Sequence, residues 1–460
     1  MTAIATVTAQ ASSMDNTAAD TPGTSLKRKR RTLAVVGLAA VFFFRLAFGL
    51  CSPFWTDTQD EKQIYLIGMK FYTTGFWPWF GPDVTNFSQL PGALQGILAG
   101  GPFYLLPIPE APIILVNILS FGAICFMAWY FSRRLPEVSR PLIYAWLLTT
   151  SWTLNLSTNV YNPSYVLIGS IVFFVSVLET YPFLTIRLMP ARWSNLLMGF
   201  SLFWIMQLHM SWVVLVPFIA LSFYFQIKNQ GRNVLASFAW FSLGAVLVGW
   251  LLIPTYWRYG SSGGTLSNVG FNPGNVPTLR DVFEGIPGRF LSLASFEVPR
   301  FIGAHTAERL TFLKSNLWLA PFAVALVVIG VLQPVSLICL WFGRWQHVHW
   351  RAIKYLILAT LIVLQFAFLF TTKKPVSHTF YLTFPIAALF ALYCWSRFLT
   401  RRAWRRFAWA CIACGIIFHT GLAIYNYPRY SLYADRMRIV EAIQKRDFHV
   451  MGERRRDARY

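Results

Sequence analysis

Long uncharged runs alternate with short polar turns along almost the whole chain. From residue 32 onward about eleven such runs can be marked, each near the roughly 20 residues that a helix needs to cross a bilayer. They lie at approximately 32–53, 111–132, 141–158, 162–182, 194–208, 210–227, 234–254, 315–342, 352–371, 379–396 and 407–424. Two further stretches behave differently. From Asp60 to about Tyr72, Ile64, Ile67 and Phe71 recur at helical spacing with Lys62 and Lys70 off that stripe, which predicts a short amphipathic helix on the membrane surface. Trp77, Trp79 and Phe80 then form a turn suited to the interface. Pro91–Leu106 is apolar but interrupted by Gly92, Gly96, Gly100, Gly101 and Pro102, and reads as a second surface or re-entrant segment. Were it a full span, Arg133 and Arg134 would change sides and break the charge pattern described next. The predicted fold class is an all-α polytopic membrane protein, with surface helices in its first outer loop.

The 460 residues are 56% hydrophobic and only 13% charged, against roughly 25% charged in soluble domains. With the apolar residues gathered into spans, this excludes a soluble enzyme, a fibrous protein and a disulfide-stapled secreted domain. The net charge of +22, from 40 basic and 18 acidic residues, is placed rather than spread. Lys27–Arg31, Arg133/Arg134/Arg140, Arg187/Arg192, Lys228/Arg232, Arg344/Arg351/Lys354 and Arg397/Arg401/Arg402/Arg405/Arg406 occupy every second loop. Short cytoplasmic loops carry such an excess, so membrane lipid headgroups, and no nucleic acid, are the expected partners of this charge. The pattern puts the N-terminus in the cytoplasm, with residues 1–31 a disordered basic tail and a multi-pass domain over 32–424. The first outer loop covers 55–110, the second 255–313, and the tail 425–460 falls outside. Arg454–Arg456 then sit on the disfavoured side, which leaves the span count open by one. The first apolar run is too long for a signal-peptide core and no small-residue cleavage site follows it, so it reads as a retained anchor. Cys125, Cys339, Cys394, Cys411 and Cys414 lie within spans and Cys51 near the end of the first, so neither a disulfide nor a zinc site is expected.

Acidic residues are scarce, and three gather just after the first span: Asp57, Asp60 and Glu61. In a helix starting this early, Asp57 shares a face with Asp60 and Glu61. Two readings stand side by side: first-turn acids that favour the helix dipole, or a general base. Lys373 and Lys374 end a span on the outer side, where they either snorkel or hold a phosphate as point charges, with His378 and Tyr381 within a turn or so. His209 stands alone between apolar stretches, as a structural group or a site residue. Arg45 lies deep in the first span, where a charge costs roughly 2.5–3.5 kcal/mol; it faces a polar interior, an ion-pair partner or lipid phosphate.

In their order, these motifs resemble the type C glycosyltransferases, notably the protein O-mannosyltransferases and the aminoarabinose transferases of lipid A. The matching residues run Trp55-Thr-Asp-Thr-Gln-Asp60-Glu61, Tyr65, Thr74-Gly75, Pro91, Arg133-Arg134, Asn162-Pro163, Gln207-Leu-His209-Met-Ser and Lys373-Lys374-Pro-Val-Ser-His378-Thr-Phe-Tyr381. The resemblance touches most of residues 32–396. It implies a bacterial plasma-membrane enzyme with its active site on the outer, periplasmic side. Asp60 would be the catalytic carboxylate with Glu61 its partner and Asp57 a second candidate. Lys373, Lys374, His378, Tyr381, His209 and Asn162 would bind the substrate. The donor would be a polyprenyl-phosphate sugar, the acceptor a hydroxyl or amine on a lipid, glycan or protein. The sugar would be transferred with inversion. The chain departs from the pattern at Leu90, where relatives often carry a basic residue or histidine, and at Asn162, where some carry aspartate. No glycine-rich phosphate loop follows a strand, so no nucleotide-sugar site is expected. No cofactor is called for, and whether a divalent cation joins the acids stays open. The alternative reading, a transporter or flippase of lipid-linked sugars, would use the same basic groups along a path.

Overall fold

The computed structural model describes residues 22–51, 60–85, 88–183, 186–231, 234–260, 270–278, 285–295, 306–343, 349–371 and 377–433. The chain divides into two compact units, 1–43 and 44–460. In the first, the described residues form the opening part of helix α1 (Pro22–Cys51). The Lys27–Arg31 cluster lies within this helix and not in coil before it: no glycine or proline stands between Gly23 and Gly37, and Lys and Arg are good helix formers. Leu33, Val35, Val36 and Phe43 are exposed, as expected of a helix that faces hydrocarbon.

The second unit takes up the rest of α1 and continues with α2 (Asp60–Thr74) and the antiparallel hairpin β1 (Phe80–Thr85) and β2 (Ser88–Pro91). The short helices α3 (Leu94–Gly100) and α4 (Pro102–Leu105) lead into α5 (Ala111–Arg134). Next come α6 (Arg140–Thr149), α7 (Ser151–Ser157), α8 (Asn162–Thr180) and α9 (Ala191–Met206). A 3-10 turn at Met210–Leu215 opens α10 (Val216–Gln230), and α11 (Val234–Gly249) passes through a 3-10 turn into α12 (Ile253–Tyr259). The rest comprises α13 (Ile286–Leu293), α14 (Thr306–Ser315), α15 (Ala320–Phe342), α16 (Trp350–Leu369), α17 (Phe384–Leu399) and α18 (Arg402–Tyr430). Proline stands in the first turn of α4 to α6, α8, α10, α12, α13, α15 and α17. There its missing N–H costs nothing and its fixed φ favours the helix.

The protein is an all-α multi-pass membrane protein: among the described residues nine helices are long and apolar enough to cross a bilayer. The sequence predicts about eleven. The two runs outside the nine are helical but short. The 141–158 run is split between α6 and α7 at Thr150, whose backbone is extended. The 194–208 run yields α9, of 16 residues. Both pack along longer helices, α6 on α5 and α18, α9 on α8 and α11. Pro91–Leu106 forms only the end of the hairpin, α3 and α4, all too short to cross.

Loops expected on one side meet one another. At the hairpin end Tyr65 reaches Pro109, Gln95 reaches Asn162, Thr255 reaches Trp79 and Tyr433 reaches Glu110. At the opposite end Arg134 pairs with Glu179, whose other oxygen accepts the backbone N–H groups of Leu188 and Met189 at 2.6 and 3.0 Å. The helices that join these ends pack closely where glycine allows it. A Cβ at Gly199 would run into the Phe241 carbonyl, and one at Gly244 into the Leu196 carbonyl, so α9 and α11 touch backbone to backbone.

Candidate functional site

Helix α2 opens with Asp60 and Glu61 and is packed into the protein, not laid on its surface. Ile64, Tyr65, Leu66 and Ile67 are buried, and Glu61 is only 3% exposed. Lys70, expected on the polar face, is also buried, with Nζ 3.7 Å from the centre of the Phe76 ring. Glycine makes this possible: Gly68 lies against Ala99, and Gly100 against the Gly68 carbonyl, so α2 and α3 approach closely. The other face is clasped by an amide: Asp83 N–H donates to Gln63 Oε1 at 2.9 Å, and Gln63 Nε2 donates to Asp83 Oδ2 at 3.3 Å. The Tyr65 hydroxyl donates to the Pro109 carbonyl at 3.2 Å. Burial, with Glu110 nearby, pushes its pKa upward, which keeps it a donor.

Behind this layer lies a seam of buried amides. Gln95 Nε2 donates to Asn162 Oδ1, tying α3 to the start of α8. Gln207 Nε2 donates to the carbonyls of Phe203 and Val248 at 3.2 and 3.1 Å. Gly92, at φ 116°, leaves room for this side chain, because a Cβ there would sit 2.5 Å from Gln207 Oε1. Both Gln95 Oε1 and Gln207 Oε1 are buried without a hydrogen-bond partner.

The other predicted residues have definite places. Asn162 holds Gln95 and is 8% exposed. His209 caps the 3-10 turn: its Nδ1 accepts the Ser211 N–H at 3.1 Å and lies 2.7 Å from Ser211 Oγ. Tyr381 is fully buried, donates its hydroxyl to the Trp152 carbonyl at 3.1 Å and stacks on the Trp152 ring. Its hydroxyl thus donates to the backbone, and the ring packs against Trp152. Trp152 in turn donates Nε1 to the Ser292 carbonyl at 2.7 Å. Asp57, Lys373, Lys374 and the side chains of Asp60 and His378 lie outside the described residues.

Arg45 has four hydrogen-bond partners, and they are neutral. The side chain is fully buried, with Nη1 2.7 Å from the Leu148 carbonyl and Nη2 2.8 Å from Ser157 Oγ. The Thr153 carbonyl and Ser120 Oγ lie at 3.5 Å. The break at Thr150 explains the site. Thr153 Oγ1 donates to the Leu147 carbonyl at 2.8 Å, Arg45 takes the next carbonyl, and α6 cannot run on into α7. Of the three partners expected for Arg45, the polar interior is the one observed. Among the described residues no group of three or more His, Cys, Asp or Glu side chains is placed to hold a metal ion.

Comparison with protein families, with curated proteins and with solved structures finds no match for this chain. The sequence singles out Asn162 and Gln207 but not Gln95, nor the hydrogen bonds that make the three a seam. Its only signals are amides within apolar stretches and a glycine at position 92.

Proposed function

We propose that the chain is a membrane glycosyltransferase that moves a sugar from a polyprenyl-phosphate donor to a hydroxyl or amine acceptor at the outer face of the plasma membrane. The observation that carries this reading is the burial of Glu61 at the opening of a helix clasped from both sides. A buried carboxylate is costly and is kept where it is paired or used. With Asp60 beside it, the helix start holds two acids at the hairpin end. In this reading the acceptor oxygen or nitrogen attacks the anomeric carbon, and its proton passes to the Asp60 carboxylate. The bond from that carbon to phosphate oxygen breaks, and polyprenyl phosphate leaves with the bonding pair. The anomeric configuration inverts. Lys373 and Lys374 neutralise the departing phosphate.

The alternative, a transporter or flippase of lipid-linked sugars, draws on one observation, the broken helix α6–α7 beside a buried charge. Discontinuous helices mark transporter sites, yet here the Arg45 guanidinium already occupies the freed carbonyl of Leu148. Transfer from labelled polyprenyl-phosphate sugar in proteoliposomes separates the two. Asp60→Asn is expected to lower transfer by at least about 100-fold, the span of general-base catalysis, with membrane abundance unchanged. Glu61→Gln and Asp57→Asn test the neighbouring acids. Full transfer by all three variants would discard the proposal.

A further inference from the structure

We infer that the second unit carries a binding site for an anionic diacyl phospholipid, in a cleft formed by α9, the α11–α12 helix and Trp79. The inference does not depend on the glycosyl-transfer reading and uses none of its residues.

The cleft has a charged and an uncharged end. Trp79, Pro254 and Arg258 line the first, Phe203, Met206, Leu252 and Tyr256 the second, and Ile253 and Trp257 belong to both, so the two ends adjoin. Ile253 is 60% exposed and Trp257 89% exposed on a helix that is apolar and long enough to span the bilayer, so their surroundings are lipid. From Gly249 to Arg258 the helix rises about 13 Å at 1.5 Å per residue. The cleft thus runs from interfacial depth into the hydrocarbon.

Arg258 decides what lies at the charged end. Its guanidinium carbon is 5.0 Å from the centre of the Trp79 ring and 5.5 Å from that of Tyr259, a cation held by aromatic faces. Among the described residues it pairs with no carboxylate. The planar fork binds phosphate oxygens through paired N–H groups, and a phosphodiester headgroup beside it supplies the missing negative charge. Tryptophan and tyrosine at this depth match the aromatic belt at headgroup level. Below them the walls are apolar except for the Tyr256 hydroxyl, too few polar groups for a peptide or sugar. The floor is closed where the Phe203 ring lies 2.8 Å from the place of a Cβ on Gly249. A charged head at one end, chains at the other and a side open to the bilayer describe a phospholipid. Its acidic form is chosen because no carboxylate among the described residues pairs with Arg258.

The test uses the full chain purified in detergent and depleted of lipid. Phosphatidylglycerol and phosphatidylcholine are supplied in equal amounts, and bound lipid is read by native mass spectrometry. The expected result is retention of phosphatidylglycerol over phosphatidylcholine by about tenfold, a difference of about 1.4 kcal/mol. Arg258→Gln should bring the ratio close to one, while Arg133→Gln at the opposite end leaves it unchanged. Should Arg258→Gln fail to fold, Ile253→Trp keeps the charge, fills the cleft and should reduce the bound lipid. Equal retention of the two lipids by the unaltered chain, or a preference that survives both Arg258→Gln and Ile253→Trp, would overturn the site. Displacement of phosphatidylglycerol by an equimolar amount of polyprenyl phosphate would overturn it too, because the cleft would then belong to a donor lipid.

Discussion

Arg45 shows how a costly side chain becomes a structural device. The guanidinium offers five donors in a fixed fork, and the carbonyl and hydroxyl oxygens around the Thr150 break take up several of them. Arg45→Met takes the guanidinium away from the buried Leu148 carbonyl, while Ser157 keeps its bond to the Thr153 carbonyl. Charge-assisted bonds contribute about 1.5–3 kcal/mol each, part of which offsets the cost of burying the charge. The expected net loss is about 2 kcal/mol, seen as a lower thermal midpoint in detergent, with Arg45→Lys intermediate because one ammonium cannot span the same acceptors. The sequence displays this charge plainly, since a lone arginine in an apolar run stands out. Its partners are hidden, because they are backbone oxygens released by a kink with neither proline nor glycine to announce it. Glu61 is the opposite case: its rarity marks it in the sequence, and the structure adds its burial. His209 and Tyr381 show what the sequence does not display: one caps a 3-10 turn and the other donates to the Trp152 carbonyl, far away along the chain.

Among the elements, glycine decides how near two helices come. Gly244 faces the Leu196 carbonyl, whereas Gly122 on α5 has nothing within 4 Å of the position a Cβ would take. The same substitution should act oppositely at the two places. Gly244→Ala forces α9 and α11 apart and should cost about 1–3 kcal/mol, the usual range for overpacking. Gly122→Ala should gain about 0.5–1 kcal/mol by removing the helical penalty of glycine. Thermal unfolding of the pair side by side checks both signs. Element positions were largely readable, because prolines in first turns and long apolar runs mark where helices begin and extend. How far α2 is buried was not. Ile67, Gly68 and Phe71 share one stripe, and that stripe meets α3 as the spacing implies, but Glu61, Leu66 and Lys70 off it are buried too, Lys70 turning inward onto Phe76. An amphipathic pattern reports one buried face and is silent about a helix enclosed on several sides.

For the molecule as a whole, charge placement and contact pattern agree on how the loops divide. The segments expected outside converge on the hairpin, and the Arg134–Glu179 pair lies at the other end. Which end faces the cytoplasm is a matter for labelling intact cells. With the native cysteines replaced by serine, Leu105→Cys, at a position 90% exposed, is expected to react with a membrane-impermeant maleimide. Pro136→Cys is expected to react only after the membrane is opened, and the reverse result would invert the assignment. At the C-terminal end Tyr433 donates to Glu110 Oε1 at 2.7 Å, and burial and then Glu110 push its phenol pKa upward. The neutral phenol is favoured by folding, so this bond's contribution is complete at neutral pH and fades only in strong alkali. Tyr433→Phe should lower the thermal midpoint in detergent by the same amount at every neutral pH.

The neutral company of Arg45 has an electrical consequence. Hydroxyls and carbonyls orient towards the guanidinium but leave its unit charge uncancelled, and among the described residues no carboxylate compensates it. At an effective dielectric constant of about 20, an ion about 10 Å away feels about 1.7 kcal/mol from such a source. The interior around Arg45 therefore carries a positive potential that disfavours a second cation placed beside it.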